Sequence, residues 1–332
     1  MNLLARSLVA ATLGASMATA ASAQTTEINF GIISTESQVN LAPIWEPFLE
    51  AMAEAVGLPI NPFFASDYAG IVEGMRFGQV QIAWYGNASA IQAVDRANGE
   101  VFAQSVSVEG NPGYWSVLIV PIDSPLQTLD DALVCDGSLD FGLGDPNSTS
   151  GYLVPMTFVF AQRGIRPADC FSTVTNSNHE SNALAVANGQ VDIATNNTEN
   201  MDRLLVTNPQ AHAKIRVLWQ SPLIPSDPIV WNKDLEDEVK NALLRFFMSY
   251  GRVGTPEEIA AAREILAALG WAPFRPSSDA QLYPIRIMDF TRAVFTAEAD
   301  ATLSDAARAS TIAELEGQRD AIQALLDTIP PL

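Results

Sequence analysis

Cations are scarce in this chain: 18 Lys and Arg stand against 38 Asp and Glu in 332 residues, a formal net charge of −20, and no basic cluster occurs. So acidic a surface repels nucleic acid and anionic membrane faces, and neither is an expected partner. Histidine is nearly absent. His179 and His212 are the only two, and without an HExxH or CxxC pattern neither a metal site nor any cofactor is implied. Cys135 and Cys170 are the only cysteines and fit no metal-ligand spacing, so a disulfide and a pair of free thiols stay equally open. Past the N-terminus no stretch reaches the ~18 uncharged apolar residues of a membrane span. No internal repeat or low-complexity segment is present.

One apolar run does stand at the start. Leu8 to Ala20 follows a single charge, Arg6, and ends in Ala21-Ser22-Ala23, the small-residue pattern of a secretory leader. Cleavage near Ala23 and a periplasmic mature chain beginning near Gln24 are expected, with no cysteine there to carry a lipid. Such a compartment permits a disulfide. A remaining length of roughly 300 residues suits two ordinary domains.

Strand and helix signals alternate along that length, the pattern of α/β proteins. INFGIIS reads as a strand, VNLAPIWEPFLEAMAEAVG as an amphipathic helix, PINPFFA and QIAWYG as further strands, each followed by a helix. A second series begins at GYWSVLIVPI, read as one long strand from Gly113 to Ile122, and continues through LDFGLG, FSTVTNS and VDIATNN. Two extended crossings, near residues 119–123 and 222–230, suggest an inserted lobe. The expected division is a leader over 1–23, a first lobe over 24–120 with 228–299, a second over 121–227, and a helical tail over 300–332. In that tail Ile312, Leu315, Ile322 and Leu326 recur at helical spacing, which favours packing on the chain's own core and, as a lesser expectation, a homodimer contact.

The octapeptide GDPNSTSG, Gly144 to Gly151, places Ser148, Thr149 and Ser150 where a strand gives way to a helix expected to run from Thr149 or Ser150 to Gly164. A helix start leaves amide N–H groups unpaired, and three hydroxyls beside them suit a tetrahedral oxyanion. One hydroxyl would be only a cap. His179 lies at a second strand-to-helix junction, with Ser177 or Asn178 as its cap, and Glu199 at a third. Loops of this kind gather at the carboxyl ends of parallel strands, where open sheets bind ligands. Asp227, between two prolines in SPLIPSDPIVW, is too enclosed by apolar sequence for a solvated face. Tyr68, Tyr85 and Tyr114 stand near strand ends, where a phenol can donate to an anion. Trp84, Trp115 and Trp231 are assigned to packing. Serine, histidine and glutamate together also suit a hydrolase, but no GxSxG elbow is present.

The runs DYAGIVEGMRFGQVQIAWYGN, AVDRANGEVFAQ, GNPGYWSVLIV, GDPNSTSGYLVP, NALAVANGQVDIATNNTEN, SPLIPSDPIVW and LGWAPFRPSSDAQLYPIR resemble the periplasmic phosphonate-binding protein of phosphonate ABC transporters. The resemblance spans roughly Tyr68 to Arg286. It implies a two-lobed type II periplasmic-binding fold, each lobe a mostly parallel sheet flanked by helices, with hinge strands between and a helical C-terminal tail. By that resemblance Ser148, Thr149, Ser150 and His179 hold the phosphonate oxygens with Tyr68 and Tyr114, while Glu199 and Asp227 hold the ammonium of 2-aminoethylphosphonate. It assigns Cys135 no role. The implied activity is binding for import, with a membrane permease and its ATPase as partners; phosphite, phosphate or methylphosphonate as ligand, a phosphonate hydrolase, and a module feeding a sensor are the competing readings.

Overall fold

The computed structural model describes residues 25–329; the expected leader and its cleavage site lie outside them. In chain order the strands are β1 (Ile28–Ile32), β2 (Ile60–Phe64), β3 (Ile82–Trp84), β4 (Gly99–Ser107), β5 (Gly113–Tyr114), β6 (Ser116–Pro121) and β7 (Asp140–Gly144). They continue with β8 (Thr173–Ser177), β9 (Ile193–Asn197), β10 (Ile215–Gln220), β11 (Ile224–Pro225), β12 (Pro228–Asn232) and β13 (Trp271–Pro276). A six-stranded sheet has the order β13-β4-β12-β3-β1-β2, and a five-stranded one the order β10-β6-β9-β7-β8. Both sheets are mixed. The expected parallel pairing holds for β2–β1–β3 and β8–β7–β9, whereas the strands next to the crossings, β4, β6, β10 and β12, pair antiparallel.

Between the two sheets the chain passes twice. Residues 108–115 and 221–227 make the passages, and within them β5 pairs with β11 as a separate two-stranded ribbon. The first passage therefore falls ahead of residues 119–123, because Ser116–Pro121 already belongs to the five-stranded sheet. The expected single strand from Gly113 to Ile122 is two strands broken at Trp115. Only glycine fits at 113: a Cβ there would stand 1.9 Å from the Ile224 carbonyl oxygen.

Strand β6 shows how its sheet is covered. Val117 and Ile119 point into one apolar cluster with Val186, Ala194 and Leu204, and Leu118 and Val120 into another with Phe141, Phe160 and Phe171. Alternation sends successive side chains to opposite faces, and helices bury both. A third core lies on the six-stranded sheet, where Trp45, Trp84 and Trp271 meet with ring centroids 5.4–5.6 Å apart.

After Ser148 the helix is not regular. Wide π-type turns over Thr149–Leu153 and Met156–Phe160 lead into a 3-10 turn at Ala161–Arg163, and Gly164 closes it at φ 64°. Pro155 has no N–H and its ring would clash with the preceding turn, so the ordinary ladder cannot run through it. In the tail, Ile312, Leu315, Ile322 and Leu326 are half-buried in the Asp305–Leu326 helix, which packs along the Tyr283–Ala299 helix and has no fully buried residue. The stripe covers a neighbouring helix rather than entering a core.

Cys135 and Cys170 are bridged, which resolves the open alternative. Closing a loop of 35 residues restricts the unfolded chain. Replacing both by serine is expected to cost about 3–4 kcal/mol in urea unfolding; an unchanged midpoint would show that the bridge contributes nothing.

Candidate ligand-binding site

A cavity of about 490 Å³ lies between the two sheets, lined from both. Tyr68, Tyr114, Ser148, Thr149, Ser150, His179, Glu199 and Asp227, eight residues spread over 160 positions of sequence, all line it. Tyr85 does not. Its hydroxyl donates to the Ile71 carbonyl at 3.0 Å and its ring is fully buried in the core on the six-stranded sheet.

One end of the cavity is a set of hydrogen-bond donors. Ser148 caps the following helix by accepting from the Gly151 amide at 3.0 Å. Asp145 shapes the turn before it, accepting from the Asn147 amide at 2.7 Å and the Tyr68 amide at 3.2 Å. Thr149 Oγ1 accepts from the Ala88 amide at 2.9 Å, capping a helix of the other sheet that begins at Asn87 with no side-chain cap of its own. His179 is the first residue of the His179–Ala187 helix, capped by Asn178, and its Nε2 lies 3.5 Å and 3.4 Å from the hydroxyls of Ser148 and Ser150. Burial lowers the His179 pKa to about 4, so the ring is neutral at physiological pH. Burial also pushes the Tyr68 phenol upward, partly opposed by its hydrogen bond with Ser148.

Two acids occupy the same cavity. Asp227 is buried and accepts from the Tyr114 hydroxyl at 3.0 Å and Trp84 Nε1 at 3.2 Å. Burial and then the charge of Glu199 raise its pKa well above the usual range, and those two hydrogen bonds oppose the rise. Burial takes Glu199 to about 7, Arg203 lowering it and Asp202 raising it. Glu199 raises the pKa of Asp227, and two enclosed carboxylates favour a cation near them.

Several residues that shape the cavity were not singled out from sequence. Trp84, assigned to packing, does pack on Trp45 and Trp271, but it also lines the cavity and holds Asp227. Trp231 packs as expected, stacked on Phe102 with ring centroids 4.0 Å apart. Asn87 donates to the Pro225 carbonyl at 2.8 Å beside Asp227. Asn197 carries its amide to Ser150 Oγ at 3.0 Å. At the mouth, Arg203 pairs with buried Glu36 at 2.7 Å and donates to the Leu269 carbonyl at 3.2 Å. Glu180 reaches from its helix to the Ser37 amide at 2.8 Å and to the Asn40 side chain. The polar run Asn196 to Asn200 was a visible signal for Asn197; nothing in the sequence paired Glu36 with Arg203.

The acid pair has a measurable effect on stability. Each acid binds its proton more tightly folded than unfolded, so between pH 4.5 and about 7 folding takes up protons and stability declines as pH rises. The ligand-free protein is expected to melt at lower temperature as pH goes from about 5 to about 8, and Glu199→Gln to flatten that slope. Identical slopes in the two proteins would contradict the assignment.

Comparison with known proteins follows the same geometry. The model of the family described as "ABC transporter, phosphonate, periplasmic substrate-binding protein" matches residues 30–282. The chain is 53% identical over 298 residues to the phosphonates-binding periplasmic protein of Escherichia coli, covering 90% of this chain and 86% of that one. A crystal structure of a binding protein component of an ABC phosphonate transporter from Pseudomonas aeruginosa superposes with a TM-score of 0.87 at 49% identity, covering 90% of this chain and 97% of that one. A Prochlorococcus marinus protein solved with methylphosphonate shares the fold at a TM-score of 0.69 and 19% identity, over 79% of this chain and 97% of its own.

Proposed function

The chain belongs to the periplasmic substrate-binding proteins of phosphonate ABC transporters, and on that premise we propose that its ligand is 2-aminoethylphosphonate, bound in the intersheet cavity for delivery to a membrane permease and its ATPase. It is a binding protein and not an enzyme. The observation that carries the choice of ligand is the presence, in one cavity, of the hydroxyl run with neutral His179 and of the acid pair Glu199 and Asp227.

Chemically the two ends are complementary to a zwitterion. Hydroxyls, the imidazole and the Tyr68 phenol face a tetrahedral anion, and two carboxylates face an ammonium. Such charge-assisted hydrogen bonds are worth about 1.5–3 kcal/mol each. Phosphite, phosphate or methylphosphonate would leave both acids enclosed without a cation, and the proton they then retain is the cost of binding such a ligand. On this reading the two sheets with their helices are lobes that close on the ligand, and the ribbon of β5 and β11 is the hinge. A ligand that touches both lobes shifts the balance toward closure. Self-association through the tail helix stays a lesser part of the proposal, resting on the stripe Ile312, Leu315, Ile322 and Leu326, which is only half-buried against the Tyr283–Ala299 helix.

Calorimetry tests the assignment. 2-Aminoethylphosphonate is expected to bind at least a hundredfold more tightly than ethylphosphonate, about 3 kcal/mol, and Glu199→Ala to remove most of that margin while leaving ethylphosphonate nearly unaffected. Equal affinities for the two ligands, or equal losses in the variant, would overturn the role of the acid pair.

A further inference from the structure

The three hydroxyls have one property in common. Each already accepts a hydrogen bond from nitrogen: Ser148 from the Gly151 amide, Thr149 from the Ala88 amide, and Ser150 from Asn197 Nδ2. The direction of the last is set by the fold. Asn197 Oδ1 caps the Thr198–Thr207 helix, accepting from the Asn200 amide at 2.7 Å, so its NH2 group is the end turned toward Ser150. A hydroxyl whose oxygen is engaged in this way keeps its hydrogen for something else. Among the described residues no carboxylate or carbonyl takes that hydrogen from any of the three.

His179 belongs to the same set. Its Nδ1 is buried without a partner, and its Nε2 lies 3.5 Å from Ser148 Oγ, 3.4 Å from Ser150 Oγ and 3.3 Å from Asn197 Nδ2. Of the nearby carboxylates, Asp145 is committed to the Asn147 and Tyr68 amides and Glu180 to Ser37 and Asn40. Among the described residues this end of the cavity therefore offers several hydrogens and no free carboxylate, its remaining acceptors being neutral hydroxyl, phenol and ring atoms.

We propose that the site favours the fully ionised dianion of a phosphonate over its monoanion, and that Asn197 is a positioning residue that supports this by keeping the Ser150 hydroxyl a donor. A P–O–H group would face donors and find no free carboxylate to take its hydrogen, only neutral oxygens that already accept. The inference rests on the reading that Ser148 to Ser150 and His179 hold the phosphonate oxygens. Other titratable groups line the cavity: His179 at about 4 beside the hydroxyls, the Tyr68 and Tyr114 phenols raised by burial, Glu199 at about 7, Asp227 and Asp202 raised chiefly by burial, and Glu36 paired with Arg203.

Glu199 titrates in the same range, so the test compares two ligands that lack an amine and differ in their own second pKa, which leaves the contribution of Glu199 common to both. Calorimetry of ethylphosphonate and its α,α-difluoro analogue, from about pH 5 to about pH 8.5, separates ligand from protein ionisation. The association constant is expected to fall about tenfold per pH unit below each ligand's own second pKa, with the break displaced downward for the more acidic analogue. A flat profile, or one break common to both ligands, overturns the proposal. Asn197→Asp keeps an oxygen for the helix cap and puts an acceptor against Ser150. It is expected to weaken the dianion about a hundredfold at high pH and to flatten the profile; a natively melting variant with the wild-type profile overturns the role of Asn197. Absence of binding by any phosphonate would instead bring down the functional reading first.

Discussion

Two carboxylates enclosed in one cavity cannot both be ionised without a cation between them, and the rest of the site is arranged around that constraint. Glu199 and Asp227 come from different parts of the chain, the start of a helix in the inserted half and the second passage between the sheets. Trp84 and Tyr114 hold Asp227 by hydrogen bonds while keeping water away, so its charge is supported but not satisfied. In the empty protein a proton fills the deficit. On the proposed reading an ammonium does so better, because it brings three donors and a full positive charge.

The same economy governs the opposite end, where contacts that shape the site also join the two sheets. Thr149 caps a helix of the other sheet, and Asp145 takes the amide that opens the Tyr68–Arg76 helix. Farther out, Glu180 binds the start of the Gln38–Val56 helix and Arg203 binds Glu36. Nearly every bridge is a carboxylate or hydroxyl placed at exposed backbone amides of a helix entrance, where donors are unpaired by construction. A chain with few cations uses its own backbone as the positive partner.

Much of this was legible in the sequence. Alternating strands and helices, the hydroxyl run after LDFGLG, His179 with its Asn178 cap and the enclosed acid at 227 could all be read from residue types at strand ends. Their convergence on one cavity could not, since it depends on pairings such as β6 with β9 that join residues some eighty positions apart. The break at Trp115 was hidden because an apolar run looks alike whether one strand or two carry it; the close approach of Ile224 to Gly113 decides it. The wide turns before Pro155 were signalled by the proline, but their form was not. Asn197 was passed over and Trp84 placed in packing alone for a common reason: a side chain that caps or packs with one edge can line the cavity with another, and sequence shows only the residue type.

The bridge between Cys135 and Cys170 encircles β7, the turn with Ser148 to Ser150, and the whole irregular helix behind it. The segment with the three hydroxyls is thus a covalent ring seated on the five-stranded sheet. Its proline-interrupted helix, lacking a regular ladder, is the part of that half least able to hold itself together. Tying off both ends lets an inherently loose stretch of backbone behave as a rigid cradle, and makes its firmness a property of the oxidising space in which the molecule works.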